Sequence, residues 1–294
     1  MDVQCLEDLF VKLNCLEQKI YKLEEEKTPE KIDYFLQLKN DFAKLLFDAY
    51  HLGDEIIRRS AIFGLSKLYN EISMEIFLKA IKDKDDHVRG WAADALGKIK
   101  NPVAIMPLIN ALDDNNNYVI FNVATALKNF PPHFILPMLT EKLNCQNNQI
   151  RKRIVKIMGE IGDESIVDAL VPLLQSDDVE IRYEAAEALR RIGSGKAIEH
   201  FLTALYDPCG DIKMVAIAAL KQFKDKRAIK PLIKIILEQK DLRPYAIEAL
   251  QAICGSECLE PIWNMLKLTK KIIHDTNEEI EKILAERSAA LSER

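Results

Sequence analysis

Five histidines (His51, His87, His133, His200 and His274) and six cysteines (Cys5, Cys15, Cys145, Cys209, Cys254 and Cys258) are where this chain would build nucleophilic or metal chemistry. A metal site needs donors repeated at short spacing, because two ligands on one turn must face one ion. Cys254-Gly-Ser-Glu-Cys258 comes nearest, and no second ligand pair follows it. It reads as two small side chains flanking a turn, with a redox couple or half a metal site as the competing reading. His200, beside Glu199, offers a lone acid or base. Cys209 is flanked by Asp207 and Asp211, the wrong electrostatics for a thiolate, and nothing activates Cys145 either. Gly-x-Ser-x-Gly, a phosphate loop and His-Glu-x-x-His are all missing. The expectation is no catalytic residue, no metal and no cofactor.

The elements that position these residues come from an internal repeat. The pairs Ile57-Arg58, Val88-Arg89, Val119-Ile120, Ile150-Arg151, Ile181-Arg182, Ile212-Lys213 and Leu242-Arg243 recur every 31 residues, the last interval being 30. Counting from the second residue of each pair, positions +3 and +4 are small or apolar. Examples are Ala61-Ile62, Ala92-Ala93, Val123-Ala124 and Ala185-Ala186. Position +7 holds Leu65, Leu96, Leu127, Met158, Leu189, Leu220 and Leu250. This stripe is one face of a helix, and its small residues let a second helix approach closely. Gly162-Asp163, Gly193-Ser194-Gly195 and Gly255-Ser256 then supply turns. The second helix has its own stripe, as in Ile105, Leu108, Ile109 and Leu112, with Pro107, Pro231 and Pro261 early in it at +18. Asp86, Asn117, Asn148 and Asp178 read as N-caps of the first helices.

One two-helix unit cannot bury its own stripe, whereas stacked units can. The fold class is therefore all-α: a right-handed α-solenoid of about seven two-helix repeats of 31 residues, with helical caps at both ends. The expected organisation is an N-terminal helical hairpin or cap over 1–53, seven repeats over 54–269, and a C-terminal helix and tail over 270–294. Leu9, Leu13, Leu16, Ile20 and Leu23 follow a heptad seam. Thr28-Pro29-Glu30 starts a helix carrying Ile32, Phe35, Phe42, Leu45 and Leu46. Ile262 to Leu284 fits one long helix. These ends read as caps, with a dimerising coil as the functional alternative.

Composition agrees. Glycine (10) and proline (11) are scarce and 30% of residues are charged, which suits helices joined by short turns. Lys plus Arg number 41 against 46 Asp plus Glu, a net charge of −5 that gives no general attraction to nucleic acid or anionic membrane. The first residues lack a basic flank before an apolar run, so no signal peptide is expected. The longest apolar run, 214–220, is too short to span a bilayer. With its dispersed thiols, the chain is expected to be cytoplasmic.

Asp85-Asp86-His87-Val88-Arg89-Gly90-Trp91-Ala92-Ala93-Asp94-Ala95-Leu96-Gly97-Lys98-Ile99 resembles the HEAT-like repeat of the phycobilisome lyase type, and 181–193 matches nearly as well. The resemblance covers about three quarters of the chain. It implies a HEAT-like superhelix and a family of bilin lyases, chromophore-detaching proteins, an iron-dependent hydroxylase and many scaffolds. The hydroxylase's di-iron centre is built from His-Glu pairs in several repeats, and none of the five histidines here forms one.

Solenoids usually bind along the second-helix face, the concave groove. By phase, +15, +17, +18, +21, +22 and +24 should face outward there. Basic and acidic residues balance at these positions, which argues against a nucleic-acid groove. The rest are small or apolar, as an adaptable groove for a protein segment requires. The expected partner-binding residues are Ile76, Met106, Met138, Leu173, His200, Lys230, Lys234 and Met265, with Trp91 and Phe121 as a possible further interface. The function expected is a non-enzymatic scaffold or adaptor for an unidentified protein partner, with homodimerisation through the terminal helices as a further possibility. The resemblance implies an alternative, a phycobilin lyase or chromophore-handling protein acting on a phycobiliprotein, with bilin propionates near Lys230 and Lys234.

Overall fold

The computed structural model describes residues 29–52, 55–68 and 73–255, together with Val11 and Cys15. Among the described residues the regular elements are all helical, with no strand. The heptad seam at 9–23, the helix expected over 262–284, Met265 and Cys258 lie outside the described residues. The chain divides into two compact units, 1–161 and 162–294. In sequence the division falls inside the fourth repeat, between its first and second helices.

The first unit holds α1 (Pro29–Leu52), α2 (Glu55–Leu68), α3 (Met74–Ala80), α4 (Asp86–Ile99), α5 (Ile105–Asn110), α6 (Asn117–Lys128), α7 (Pro132–Lys142) and α8 (Asn148–Ile161). α1 packs on α2, and the first helices α2, α4, α6 and α8 pack each against the next. The second helices α3, α5 and α7 pack on α4, α6 and α8 respectively. The second unit repeats this arrangement. It holds α9 (Val167–Leu170) between two 3-10 turns, α10 (Val179–Ile192), α11 (Ile198–Ala204), α12 (Gly210–Phe223), α13 (Ile229–Glu238) and α14 (Arg243–Cys254). There α10, α12 and α14 pack in series, with α11 on α12 and α13 on α14.

The stripe read from the sequence is the core. Leu65, Leu96, Leu127, Leu189, Leu220 and Leu250 are each fully buried, as are Ala92, Ala93, Ala185 and Ala186. Each such leucine contributes about 1.5–3 kcal/mol of apolar burial. Where two first helices come closest, glycine is required: a Cβ on Gly97 of α4 would overlap the backbone of Ala126 in α6.

Helix ends follow a fixed register. First-helix N-caps are Asp85, whose side chain accepts from the Val88 amide, Asn116 from Tyr118, Asn147 from Gln149 and Ile150, and Asp178 from Glu180 and Ile181. The expected caps Asp86, Asn117 and Asn148 are thus each one residue late. All four true caps stand four residues before the anchor position, because a cap side chain must reach back over the first turn's free amides. The first helices end at a left-handed residue, Lys100, Gly162, Gly193 or Lys224. The next residue (Asn101, Asp163, Ser194 or Asp225) caps a 3-10 turn into the second helix. In the third repeat Pro131-Pro132 replaces this device, and α7 starts with proline at its first position.

The anchor arginines tie repeats together. Arg58 Nε donates to Asp83 Oδ2 at 3.3 Å, Arg89 Nε to Asp114 Oδ2 at 2.6 Å, and Arg182 Nε to Asp207 Oδ2 at 3.0 Å, each acid lying 25 residues on. The second oxygen of each acid accepts a backbone amide in its own loop, from Asp85, Asn116 and Cys209. Arg89 and Arg182 also donate to the carbonyls of Asp83 and Ser176. The third repeat has Ile120 in place of the arginine. There Arg153 of α8 reaches across to the carbonyls of Leu112 and Asp114. The second of these is the carbonyl an arginine at 120 would take, so a neighbouring repeat supplies the missing donor.

Candidate functional site

The surface of the second helices is narrower and more polar than the sequence suggested. Positions +17, +21 and +24 are exposed in every described repeat. In the first unit they are Glu75, Lys79, Lys82, Met106, Asn110, Asp113, Pro137, Glu141 and Asn144. In the second unit they are Asp168, Pro172, Gln175, Glu199, Thr203, Tyr206, Lys230, Lys234 and Leu237. Positions +18 and +22 are half-buried or buried, and +15 is buried throughout, as with Ala104 and Ala197.

The predicted binding residues therefore separate. Met106 is 43% exposed and Lys230 and Lys234 are exposed, whereas Met138, Leu173 and His200 are half-buried. Ile76 is a correction: at 2% exposure it lies with Phe77 and Ala80 in the buried stripe of α3 and offers a partner nothing. Ile235, also expected on this face, is buried for the same reason on α13. Phe134, 45% exposed one turn before Met138, joins the surface; its aromatic type in the irregular third repeat was the signal. Of the aromatic residues crowding that repeat, Phe130 alone fills the core, while Tyr118, Phe121 and Phe134 stay exposed.

Polar contacts join neighbouring repeats along this face. In the first unit Lys142 Nζ donates to Asn110 Oδ1 at 3.3 Å and Asn147 Nδ2 to Asp113 Oδ1 at 3.0 Å. In the second unit Lys196 faces Asp168 at 3.7 Å and Arg227 pairs with Glu199. Arg227 also grips Asp225, and that hydrogen bond holds the guanidinium pKa up while the Asp225 carboxyl is held down. Lys230 and Lys234 stand clear of these pairs. Lys234 borders a cleft of about 110 Å³ with Leu205, Tyr206, Lys213, Pro231, Ile235, Glu238 and Gln239. His200 has no hydrogen-bonding or ionic partner among the described residues.

Asp85, Asp86 and His87 place three donor atoms within 4.8 Å of one another, the spacing a metal ion requires. Each of the three already has a polar partner. Asp85 Oδ2 accepts from Arg59 Nε at 2.7 Å and its Oδ1 from the Val88 amide at 3.0 Å. Asp86 takes His87 Nδ1 at 2.8 Å and the Asn116 side-chain amide. Burial would raise the Asp85 carboxyl, but the Arg59 and Val88 hydrogen bonds outweigh it and bring it to about 2. Asp114 is lowered in the same way, its bond from Arg89 opposing burial. These acids act as struts. Cys145, Cys209 and Cys254 are half-buried thiols outside any disulfide, and Cys254 Sγ donates to the Leu250 carbonyl.

No described helix is long and apolar enough to cross a membrane. A family model described as HEAT repeats matches residues 43–128 and 136–214, more than half of the chain. Among solved structures, YibA of Escherichia coli is similar at 20% identity, covering 83% of this chain and 92% of that one, with a TM-score of 0.49. The CpcE–CpcF complex of phycocyanin lyase from Nostoc is similar at 18% identity over 76% of this chain and 94% of that one, with a TM-score of 0.38. Human deoxyhypusine hydroxylase is similar at 17% identity over 83% and 97%, with a TM-score of 0.36. No curated protein matches the chain.

Proposed function

The chain belongs to the HEAT repeat family, and from that premise we propose that it is a non-enzymatic scaffold that binds a protein partner along its second helices. The supporting observation is the line of exposed side chains at +17, +21 and +24, in register from repeat to repeat, which no core contact explains. Regular presentation of three side chains per repeat suits an extended protein segment better than a small metabolite. In the first unit Met106, Met138 and Phe134 supply apolar contact among polar neighbours, the mixed make-up of a non-obligate interface. In the second unit Lys230 and Lys234 stand at these positions, with half-buried Leu173 and His200 next to them in their own repeats. The working location is the cytoplasm, the organisation that of repeats between terminal caps, and nucleic acid is not the partner, since four lysines stand against five carboxylates at these positions. The likeness to phycocyanin lyase concerns the fold and lends chromophore handling no support.

Affinity capture from native lysate, wild type beside Met106→Glu/Met138→Glu, tests the proposal by quantitative mass spectrometry. A protein retained by the wild type and lost with the variant supports it. A variant that keeps every captured protein, while circular dichroism shows it folded, contradicts it.

A further inference from the structure

Positive charge in the C-terminal unit is concentrated in one stretch. Residues 212–243 carry nine lysines and arginines against three carboxylates, whereas 162–211 carry four against eleven, in a chain of net charge −5. Four of the nine are held by the fold. Lys213 Nζ donates to Gln239 Oε1 at 3.0 Å, Lys221 pairs with Glu248, Arg227 with Asp225 and Glu199, and Arg243 Nε donates to the Ile236 carbonyl at 2.7 Å. The other five, Lys224, Lys226, Lys230, Lys234 and Lys240, are exposed and have no hydrogen-bonding or ionic partner among the described residues.

Three of these lysines form a row. Lys226 opens the 3-10 turn that leads into α13, and Lys230 and Lys234 follow at four-residue steps on α13 itself. They occupy +17 and +21, and no other described repeat has lysine at both. Like charges one helical turn apart repel, a cost that a bound anion relieves. Nearby carboxylates do not fill the row. Asp225 and Glu199 are both taken by Arg227, while Glu238 and Asp241 are exposed beyond Lys234 and make no ion pair with it. The cleft of about 110 Å³ beside Lys234 adds an apolar wall of Tyr206, Pro231 and Ile235. Four helical residues advance about 6 Å, close to the roughly 6.6 Å between alternate residues of an extended chain. Carboxylates at alternate positions of an extended segment therefore face successive lysines. A nucleic-acid strand draws its affinity from a longer cationic track. Here the row is one repeat wide on the α11 side, where +17 and +21 are Glu199 and Thr203.

We propose that Lys226, Lys230 and Lys234 dock an extended acidic segment of the protein partner, with carboxylates at alternate positions of that segment meeting successive lysines. The proposal rests on the second-helix reading and names the partner's chemistry at the C-terminal unit.

The test is fluorescence anisotropy of a labelled octapeptide of alternating glutamate and glycine, titrated with the full chain at about 0.05 M and about 0.15 M salt. A glutamine-for-glutamate peptide and an oligothymidylate of equal charge serve as comparators. Saturable binding of the glutamate peptide that weakens with added salt is expected, with weaker binding of the oligothymidylate and none of the glutamine peptide. Lys230→Gln/Lys234→Gln should weaken glutamate-peptide binding about tenfold or more, and Lys226→Gln several-fold. Lys230→Arg/Lys234→Arg should keep it. Lys84→Gln/Lys156→Gln, which removes the same charge from exposed lysines of the N-terminal unit, should leave it unchanged. All these side chains are exposed, so each variant should keep the helical signal of the wild type in circular dichroism. Glutamate-peptide binding that is absent, or that falls equally in the Lys84/Lys156 variant, overturns the proposal. So does oligothymidylate binding of equal or greater strength, which would make nucleic acid the occupant. Self-association of the chain that Lys230→Gln/Lys234→Gln abolishes also overturns it, by making a second copy the occupant. If the peptide fails while capture of a partner still depends on Met106 and Met138, this inference falls and the second-helix reading stands.

Discussion

Single polar side chains here hold the repeats in register. Asp85 does two jobs, capping α4 and binding Arg59, and its carboxyl falls from the ordinary 3.8 to about 2 in consequence. A folded-state pKa below the unfolded one stabilises the fold above pH ~4, and that stabilisation is lost as pH falls toward ~2. The shift corresponds to about 2 kcal/mol. Asp85→Asn keeps a good cap but removes the charge, so urea unfolding at neutral pH should show a loss of about that size. The variant should also lose less further stability than wild type between pH 4 and 3, by the same linkage. The Arg153 bridge makes a second residue-scale prediction. Arg153→Met should cost about 1–3 kcal/mol in thermal unfolding, because it strands the Leu112 and Asp114 carbonyls. A lysine elsewhere on α8 changed to methionine should cost far less. The role of Arg153 was illegible in the sequence, since it stands two residues off the anchor register and acts 39 residues back, on Asp114.

At the scale of helices, the repeat was legible because burial enforces it. Positions +3, +4 and +7 must face the neighbouring helix, so small and branched apolar residues recur there, and most of the predicted stripe is fully buried. The caps were misplaced by one residue because Asp85-Asp86 and Asn116-Asn117 each offer two suitable side chains in a row. The fixed offset to the anchor, which Asp178 already showed, decides between them. The second-helix face was misread for a different reason. The capped 3-10 turn before the helix sets its phase, and without it Ala104 and Ile235 were placed outside. Helix contact makes its own prediction at Gly97, where α4 and α6 approach through Ala126. Gly97→Ala should lower stability by about 1–3 kcal/mol despite alanine's better helix propensity, as overpacking against backbone outweighs it. Differential scanning calorimetry would show the sign; a raised melting temperature would refute the close approach.

For the whole molecule, the sequence determined the fold class far better than the binding site. Repeat signatures report what packs, and a binding surface is the part of each repeat left free to vary. The candidate surface became definable once exposure repeated at +17, +21 and +24 in successive repeats. Core and surface should then respond oppositely to similar changes. Leu127→Asp buries an unpaired charge at a fully buried position and should cost about 4 kcal/mol or more, collapsing the helical signal of the N-terminal unit. Met106→Glu/Met138→Glu should keep that signal and lose only the partner. The most direct check is oxidative footprinting of Met106 and Met138, read by mass spectrometry in the isolated chain and in the chain with its captured partner bound. Both methionines should oxidise readily alone and be protected in the complex. Equal oxidation in the two states, with the partner demonstrably bound, would contradict binding along the second helices.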